Sequence, residues 1–460
     1  MGNVAEDSGC VRRLGALAIS AAATATLVLG GCQAGHPGAS AATATATGPA
    51  TGSPPSGAFY DCLTAAAPPT CYGVRQFRVA YGIQPLLDRG INGRGETIVT
   101  PEFAPSATTP QVTDIRQDLA RFDRLFGLPA ARLQVLTRFA GASSPDLAGG
   151  EEAEDTEMVH AVAPDAAIRV ILLPAMSSAH GIAAYTAAIR LAPSLGAVVS
   201  TTAGLGERCF TRAEVAALNS ALQADQDRQV TVIASSGDNG AAIAPCSGTG
   251  ASTPVKGVNL PASDPLVLAV GGTSLQASHT TGSYLGETAW NTPLPPDTPL
   301  PPGQSEPRVA SNGGFSSLFP RPPDQAGVAG IGTTRGVPDV AADADPATGM
   351  ALAMSINGSY PIIPASGTSA GAPFWAGIVA LADQYAGRHL GFINPVIYRL
   401  GRSFRYESAF HDITKGDNTV KSPEGTVAGY DATPGWDPVT GWGSPNAQAL
   451  VPLLARSVSP

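Results

Sequence analysis

From Tyr81 onward the chain alternates two hydrophobic patterns. Short β-rich runs fall at residues 97–100, 133–136, 168–173, 197–201, 230–234 and 266–270. Between them lie stretches with helical spacing at 112–126, 151–162, 181–191 and 212–227. This alternation predicts an α/β protein with a mostly parallel central sheet and helices on both faces. Ligands on such sheets bind beyond the carboxyl ends of the strands. Residues 292–308, rich in Pro and polar side chains, read as a surface loop. There is no internal repeat, and nothing in the pattern splits residues 58–460 into two domains.

The start of the chain is patterned differently. Arg12 and Arg13 precede an apolar, alanine-rich run that ends in Leu29-Gly30-Gly31-Cys32. A short basic start, an apolar run and small residues before a Cys describe an export signal closed by a bacterial lipobox. Residues 1–31 are then the signal peptide, and Cys32 receives a lipid and becomes the new N-terminus. An ordinary cleaved signal or an uncleaved anchor is the alternative. The run is short of the roughly 20 apolar residues that a stable span needs. Residues 32–57 are Ala, Thr, Gly, Ser and Pro with no core-forming pattern, which predicts a flexible tether. The folded domain is expected over 58–460.

Composition narrows the choice of function. Only 14% of the 460 residues are charged and the formal net charge is −9, with no run of Lys or Arg. That excludes a nucleic-acid binder, and a lightly charged surface suits work in acid. Six cysteines are present. Cys10 goes with the signal and Cys32 with the lipid. The remaining even number in an exported chain suggests two disulfides. The expected pairing is Cys62–Cys71 and Cys209–Cys246, with buried free thiols as the alternative.

Three segments carry candidate chemistry. The first is Ser366-Gly367-Thr368-Ser369-Ala370-Gly371-Ala372-Pro373, followed by an apolar helical run. Small residues around a Ser just before a helix put its hydroxyl at the helix N-terminus, where backbone N–H groups can stabilise an oxyanion. A plain helix cap is the other use of such a Ser. The second is Glu151-Glu152-Ala153-Glu154-Asp155 at the start of a helix. Glu151 and Asp155 are four apart and share a face. Adjacent carboxyls repel, so one tends to keep a proton, which makes an acid/base pair. Acids in a first turn are also what the helix dipole favours. Glu152 is expected to point off the catalytic face. The third is Ser235-Ser236-Gly237-Asp238-Asn239-Gly240, which leaves Asp238 at the carboxyl end of a strand, or makes it a simple turn residue. No His-Gly-Thr-His or Asp-Ser/Thr-Gly segment accompanies the serine. The histidines are His36, His160, His180, His279, His389 and His411. A subtilisin-like enzyme with a displaced His is therefore disfavoured.

Taken together, these segments resemble the sedolisin family of serine-carboxyl peptidases, from about Cys71 to Ser444. Further family-like stretches are Asn259-Leu260-Pro261-Ala262-Ser263-Asp264-Pro265, Val270-Gly271-Gly272-Thr273, Trp290-Asn291, Gly313-Gly314-Phe315-Ser316 and Pro338-Asp339-Val340-Ala341-Ala342-Asp343. The resemblance implies a subtilisin-like three-layer fold and a serine-type endopeptidase acting on peptides or proteins in acid. It makes Ser369 the nucleophile, Glu151 the base, Asp155 its orienting partner and Asp238 the oxyanion acid. It also implies one structural calcium ion, held by the carboxylates of Asp412 and Asp437 and the carbonyls of Ile413, Thr433 and Gly435. Oxygen-only ligands suit such a hard cation. Thr433 stands where the family often has Gly.

Two departures from the family pattern stand out. Only the tether separates Cys32 from the family-like start, where family precursors place a large pro-domain. After the run at 197–201 the chain reads Ser200-Thr201-Thr202-Ala203-Gly204, without the aromatic residue that usually lines the cleft. The rival reading is a catalytically silent surface lipoprotein that binds peptides or a partner. Either way the expected protein is an extracellular monomer that meets the membrane only through its lipid.

Overall fold

Eight strands build the central sheet: β1 (Thr97–Phe103), β2 (Arg132–Leu136), β3 (Ala167–Leu173), β4 (Val198–Thr201), β5 (Thr231–Ser235), β6 (Leu268–Ala277), β7 (Tyr284–Ala289) and β8 (Val340–Asp343). Their order is β7-β6-β5-β4-β1-β3-β2, and β8 also pairs with β6. All pairings are parallel except β6 with β7. These strands belong to a computed structural model. It describes residues 61–457 apart from 65–68, 104–113, 138, 140–149, 175–180, 244–245, 247–253, 294–307, 356–358 and 423–424. The signal, the lipobox at Cys32, the tether, His36, His180 and most of the 292–308 loop lie outside the described residues.

Successive strand residues face opposite layers, and both layers are apolar. Ile98, Val198, Ile233 and Leu268 pack on one side; Val99, Val199, Val232 and Ala269 pack on the other. Strands buried on both faces explain the continuous apolar runs in the sequence. Helices α1 (Ile115–Phe126), α2 (Gly150–Val162), α5 (Gly367–Ala386) and α6 (Ala447–Ser457) cover the first side. Helices α3 (Gly181–Leu191) and α4 (Arg212–Gln226) cover the second. The three-layer α/β expectation holds.

Helix α5 is the hub, buried along its length from Gly367 to Asp383. Its apolar residues surround it on all sides, as an interior helix requires. It packs against α2, α6 and strands β4, β5, β6 and β8. A Cβ at Gly377 would stand 2.5 Å from Val162, so glycine lets α2 and α5 approach closely. Both disulfides form as expected, Cys62–Cys71 and Cys209–Cys246.

The β-rich run is expected only over 97–100, and Pro101, which cannot donate to a sheet ladder, follows it. The strand continues to Phe103, since it meets β4 only through Ile98 and Val99 and runs alone on that side where Pro101 falls. That extension carries Glu102 into the interior at 2% exposure.

Several acids away from any cleft are also buried. Among the described residues neither oxygen of Asp225 has a hydrogen-bond partner, and Asp383 keeps one bond, from the Leu390 N–H at 2.9 Å. Burial pushes Asp225 up to about 7 and Asp383 up to about 8. The native state therefore holds protons that the unfolded chain releases near pH 4. Their stabilisation is complete in acid and is lost as pH rises from about 4 through 7–8. Melting temperature should fall across that interval, and Asp225→Asn with Asp383→Asn should flatten the slope. A melting temperature that rises from pH 4 to 7 would contradict this.

Candidate active site

Three elements converge on the N-terminus of α5. Ser369 lies in its first turn, Glu151 and Asp155 lie one turn apart on α2, and Asp238 follows β5. Ser369 and Asp238 are each 8% exposed, which leaves them narrowly open to solvent, whereas Asp155 is at 0%. The expected group is thus assembled, with its reactive end facing out and its acid end sealed.

The amides at the start of α5 are occupied one after another. The Ser366 N–H donates to Glu154 Oε1 at 2.7 Å, Gly367 N–H to the Ala344 carbonyl at 2.8 Å and Thr368 N–H to Asp238 Oδ1 at 2.8 Å. Among the described residues no acceptor meets the next amide, that of Ser369. A free, inward N–H beside a hydroxyl is what an oxyanion needs. Asp238 stands next to it. The Thr368 hydroxyl donates to Asp238 Oδ1 at 2.8 Å and accepts from the Gly237 N–H at 2.9 Å, which locks the two turns together. Asp238 Oδ2 lies against Gly367, whose φ is +77°, and a Cβ there would come within 2.6 Å of that oxygen. Only glycine fits both the backbone and the space.

The hydroxyls of Ser369 and Thr202 lie close enough to Glu151 to favour its charged form, while Glu151 Oε1 has no hydrogen-bond partner among the described residues. Thr202 Oγ1 also reaches Asp155 Oδ2 at 3.5 Å, so this hydroxyl sits between the two acids. Behind them Asp155 meets Glu102. Among the described residues no donor reaches Asp155 Oδ1 or Glu102 Oε1, although the two carboxyls lie against each other. Two acceptors in that position would pair if one of them kept a proton. Burial first holds both well above the usual carboxylate range; the charges of Glu151 and Glu152 add to the rise at each, and that of Glu102 adds to it at Asp155.

Burial also raises Glu151, but the nearby hydroxyls of Ser369 and Thr202 oppose the rise. Asp238 is pushed up to about 6, chiefly by burial and also by the charge of Glu151, against the bonds from Thr368. A carboxyl that ionises sits beside one that stays neutral in acid, which is the division that acid/base work requires.

The acidic run on α2 is not a solvated first turn. Glu152, Glu154, Asp155 and Glu157 are all buried. Glu152 is 1% exposed, and its charge raises both Glu102 and Asp155. Four contributors went unassigned in the sequence: Glu102, Glu154, Thr202 and Thr368. The last three lie inside the quoted motifs. For Glu102 the available signal was an acid two residues beyond a β-rich run.

The described histidines are engaged elsewhere. His160 is buried against Asp123 at 3.0 Å and the Pro129 carbonyl at 2.8 Å. His279 stacks on Tyr72, His411 on Tyr284, and His389 lies 3.5 Å from Glu96.

Near the C-terminus, the loop of Thr433 and Gly435 joins the two expected calcium-binding carboxylates. Gly435 N–H lies 3.1 Å from both oxygens of Asp412, and Thr433 N–H lies 3.3 Å from Asp437 Oδ2. Asp437 is further fixed by Val439 N–H, Thr440 N–H and the Thr440 hydroxyl. Among the described residues no donor reaches the carbonyls of Ile413, Thr433 or Gly435. Nor does any group of three His, Cys, Asp or Glu suited to a metal occur among them. Two carboxylates and free carbonyls form an all-oxygen set, which fits a calcium ion completed by water.

No family model matches the chain. Kumamolisin of Bacillus sp. (strain MN-32) is 34% identical over 412 residues, covering 87% of this chain and 66% of its own length. Tripeptidyl-peptidase 1 of Homo sapiens is 28% identical over 358 residues, or 73% of this chain and 57% of its own. The chain thus spans about two thirds or less of these curated relatives. A solved structure of Pseudomonas sedolisin, a serine-carboxyl proteinase complexed with two molecules of pseudo-iodotyrostatin, matches with a TM-score of 0.66 at 25% identity. That match covers 86% of this chain and 98% of the other. The fold is that of a subtilisin-like α/β protein. Within that class the chain belongs to the sedolisin family.

Proposed function

We propose that the chain is a serine-type endopeptidase, a serine-carboxyl peptidase that cuts peptides or proteins in acid. One observation carries this: Ser369 in the first turn of α5, the Glu151 and Asp155 carboxyls of α2 and the Asp238 carboxyl after β5 converge on one place, where the Ser369 N–H meets no acceptor among the described residues. In the first step Ser369 Oγ bonds to the peptide carbonyl carbon and its proton passes to Glu151. The carbonyl oxygen, now negative, takes hydrogen bonds from Ser369 N–H and protonated Asp238. The C–N bond then breaks and Glu151 returns the proton to the leaving amine. A water attacks the serine ester, Glu151 takes its proton, and the acid product leaves as that proton goes back to Ser369. Asp155 sits behind Glu151, and burial, which favours the neutral form of Asp155 and of Glu102, tempers the negative charge there.

Membership of the sedolisin family and the burial of the acid cluster support the acid-active reading. Two disulfides support a life outside the reducing cytoplasm. We place the enzyme at the cell surface, exported by residues 1–31, anchored as a monomer through a lipid on Cys32, and spaced by residues 32–57 from a domain over 58–460. No helix among the described residues is long and apolar enough to cross a membrane.

Ser369→Ala should lower kcat by about 10³-fold or more, and Glu151→Gln nearly as much, since neither variant can complete the proton transfer. Melting temperatures should stay close to wild type. Hydrolysis of a chromogenic peptide by either variant at the wild-type rate would remove this mechanism.

The calcium site is the second part of the proposal, with Asp412, Ile413, Thr433, Gly435 and Asp437 as ligands. Calcium at this site would supply structural stability only. Binding to the native state alone, at 100 times Kd, stabilises by about 2.7 kcal/mol. A chelator should therefore lower the melting temperature, and Asp437→Ala should abolish that response. An unchanged melting temperature, with no cation found by elemental analysis, would refute the site.

A further inference from the structure

Glu154 is a site carboxyl that the proposed chemistry does not use. It is 4% exposed, and its Oε1 accepts the Ser366 N–H at 2.7 Å. Ser366 is the N-cap of α5, but its own side chain makes no capping bond. The amide that opens the nucleophile turn is therefore satisfied from another helix.

Three supports hold this turn, each from a different part of the chain. Glu154 comes from α2, the Ala344 carbonyl follows β8 and Asp238 follows β5. The turn does not hold itself rigid, because Gly367 supplies a permissive backbone at φ +77°. Glu154 and Glu151 are three apart on α2, so they are neighbours on one helix turn. The anchor of the nucleophile turn and the base that serves the nucleophile are one rigid piece.

We infer that Glu154 is a positioning residue: its carboxyl pins the Ser366 amide and so sets where Ser369 Oγ stands relative to Glu151. This rests on the peptidase reading above. Glu151, Asp155 and Asp238 are the ionisable groups around it, and burial with their charges keeps Glu154 well above the usual carboxylate range. It therefore acts as a neutral acceptor at acidic pH. Without it, a buried N–H loses its partner and the turn shifts to find another. A displacement of about 1 Å between reacting groups can cost about 10²-fold in rate.

The test compares wild type with Glu154→Gln, which keeps an acceptor oxygen, and Glu154→Met, which keeps the length but removes it. Glu154→Leu serves if the Met variant does not fold. The readouts are kcat and KM across pH on a peptide without titrating groups, with competent sites counted by a tight-binding peptide aldehyde. The Met variant should lose about 10- to 100-fold in kcat per competent site, with KM within about threefold. The Gln variant should restore kcat and leave the pH profile in place. An active wild type with an equally active Met or Leu variant overturns the anchor alone. So does a loss confined to KM, or a Gln variant as impaired as Met. A wild type that cuts nothing at any pH overturns the peptidase reading and the anchor with it.

Discussion

Carboxylates packed together in a protein interior repel one another strongly. Two negative charges 4 Å apart at an effective dielectric of 20 cost about 4 kcal/mol. Around the N-terminus of α5 the structure gathers Glu102, Glu151, Glu152, Glu154, Asp155 and Asp238, nearly all withdrawn from water. They cannot all ionise. Which acids keep protons is decided by the hydrogen bonds each one receives, and the rest of the site follows from that sorting. Burial holds Glu102 and Asp155 well above the usual carboxylate range, so both favour the neutral acid. Burial raises Glu151, and the nearby hydroxyls of Ser369 and Thr202 oppose that rise by favouring its charge. For Asp238, the rise from 3.8 to about 6 corresponds to about 3 kcal/mol in favour of the neutral acid. A base and a proton donor thus arise from one residue type.

This sorting requires fixed geometry, which the fold supplies through α5. The helix lies buried between α2 and the sheet, so its first turn cannot drift toward solvent. Glu154 ties that turn to α2, and Thr368 ties it to the turn after β5. Acids elsewhere, such as Asp225 and Asp383, extend the same preference for acid to the whole domain. Stability and chemistry then favour the same pH range for the same reason, the cost of ionising a buried carboxyl.

Much of this was legible in the sequence. The strand and helix runs foretold the layered sheet because strands buried on both faces read as continuous apolar stretches. The positions of Glu151, Asp155, Asp238 and Ser369 followed from motif and helical spacing. What stayed hidden depended on tertiary contact. Glu102 was missed because the expected run stopped at residue 100, whereas the strand continues along β3 to Phe103. Glu152 was expected only to point off the catalytic face, and its burial depends on the packing of α2 on α5. Thr202 stood in a segment noted for a missing aromatic, and its hydroxyl gains meaning only when β4 is placed beside α2. Glu154 needed a partner 212 residues away.

The most direct test of the account is the rate of peptide hydrolysis against pH, on a substrate with no titrating group. Asp238 donates to the oxyanion only while protonated, so activity should fall as pH rises through about 6. It should also fall at the acid end, where Glu151 takes up a proton and no longer serves as a base. The two limbs belong to coupled groups and describe the cluster as a whole. A maximum in acid, with little activity above neutrality, is the predicted result. Activity that instead climbs through pH 6.5 to a neutral or alkaline maximum would indicate a histidine base and contradict the carboxyl mechanism.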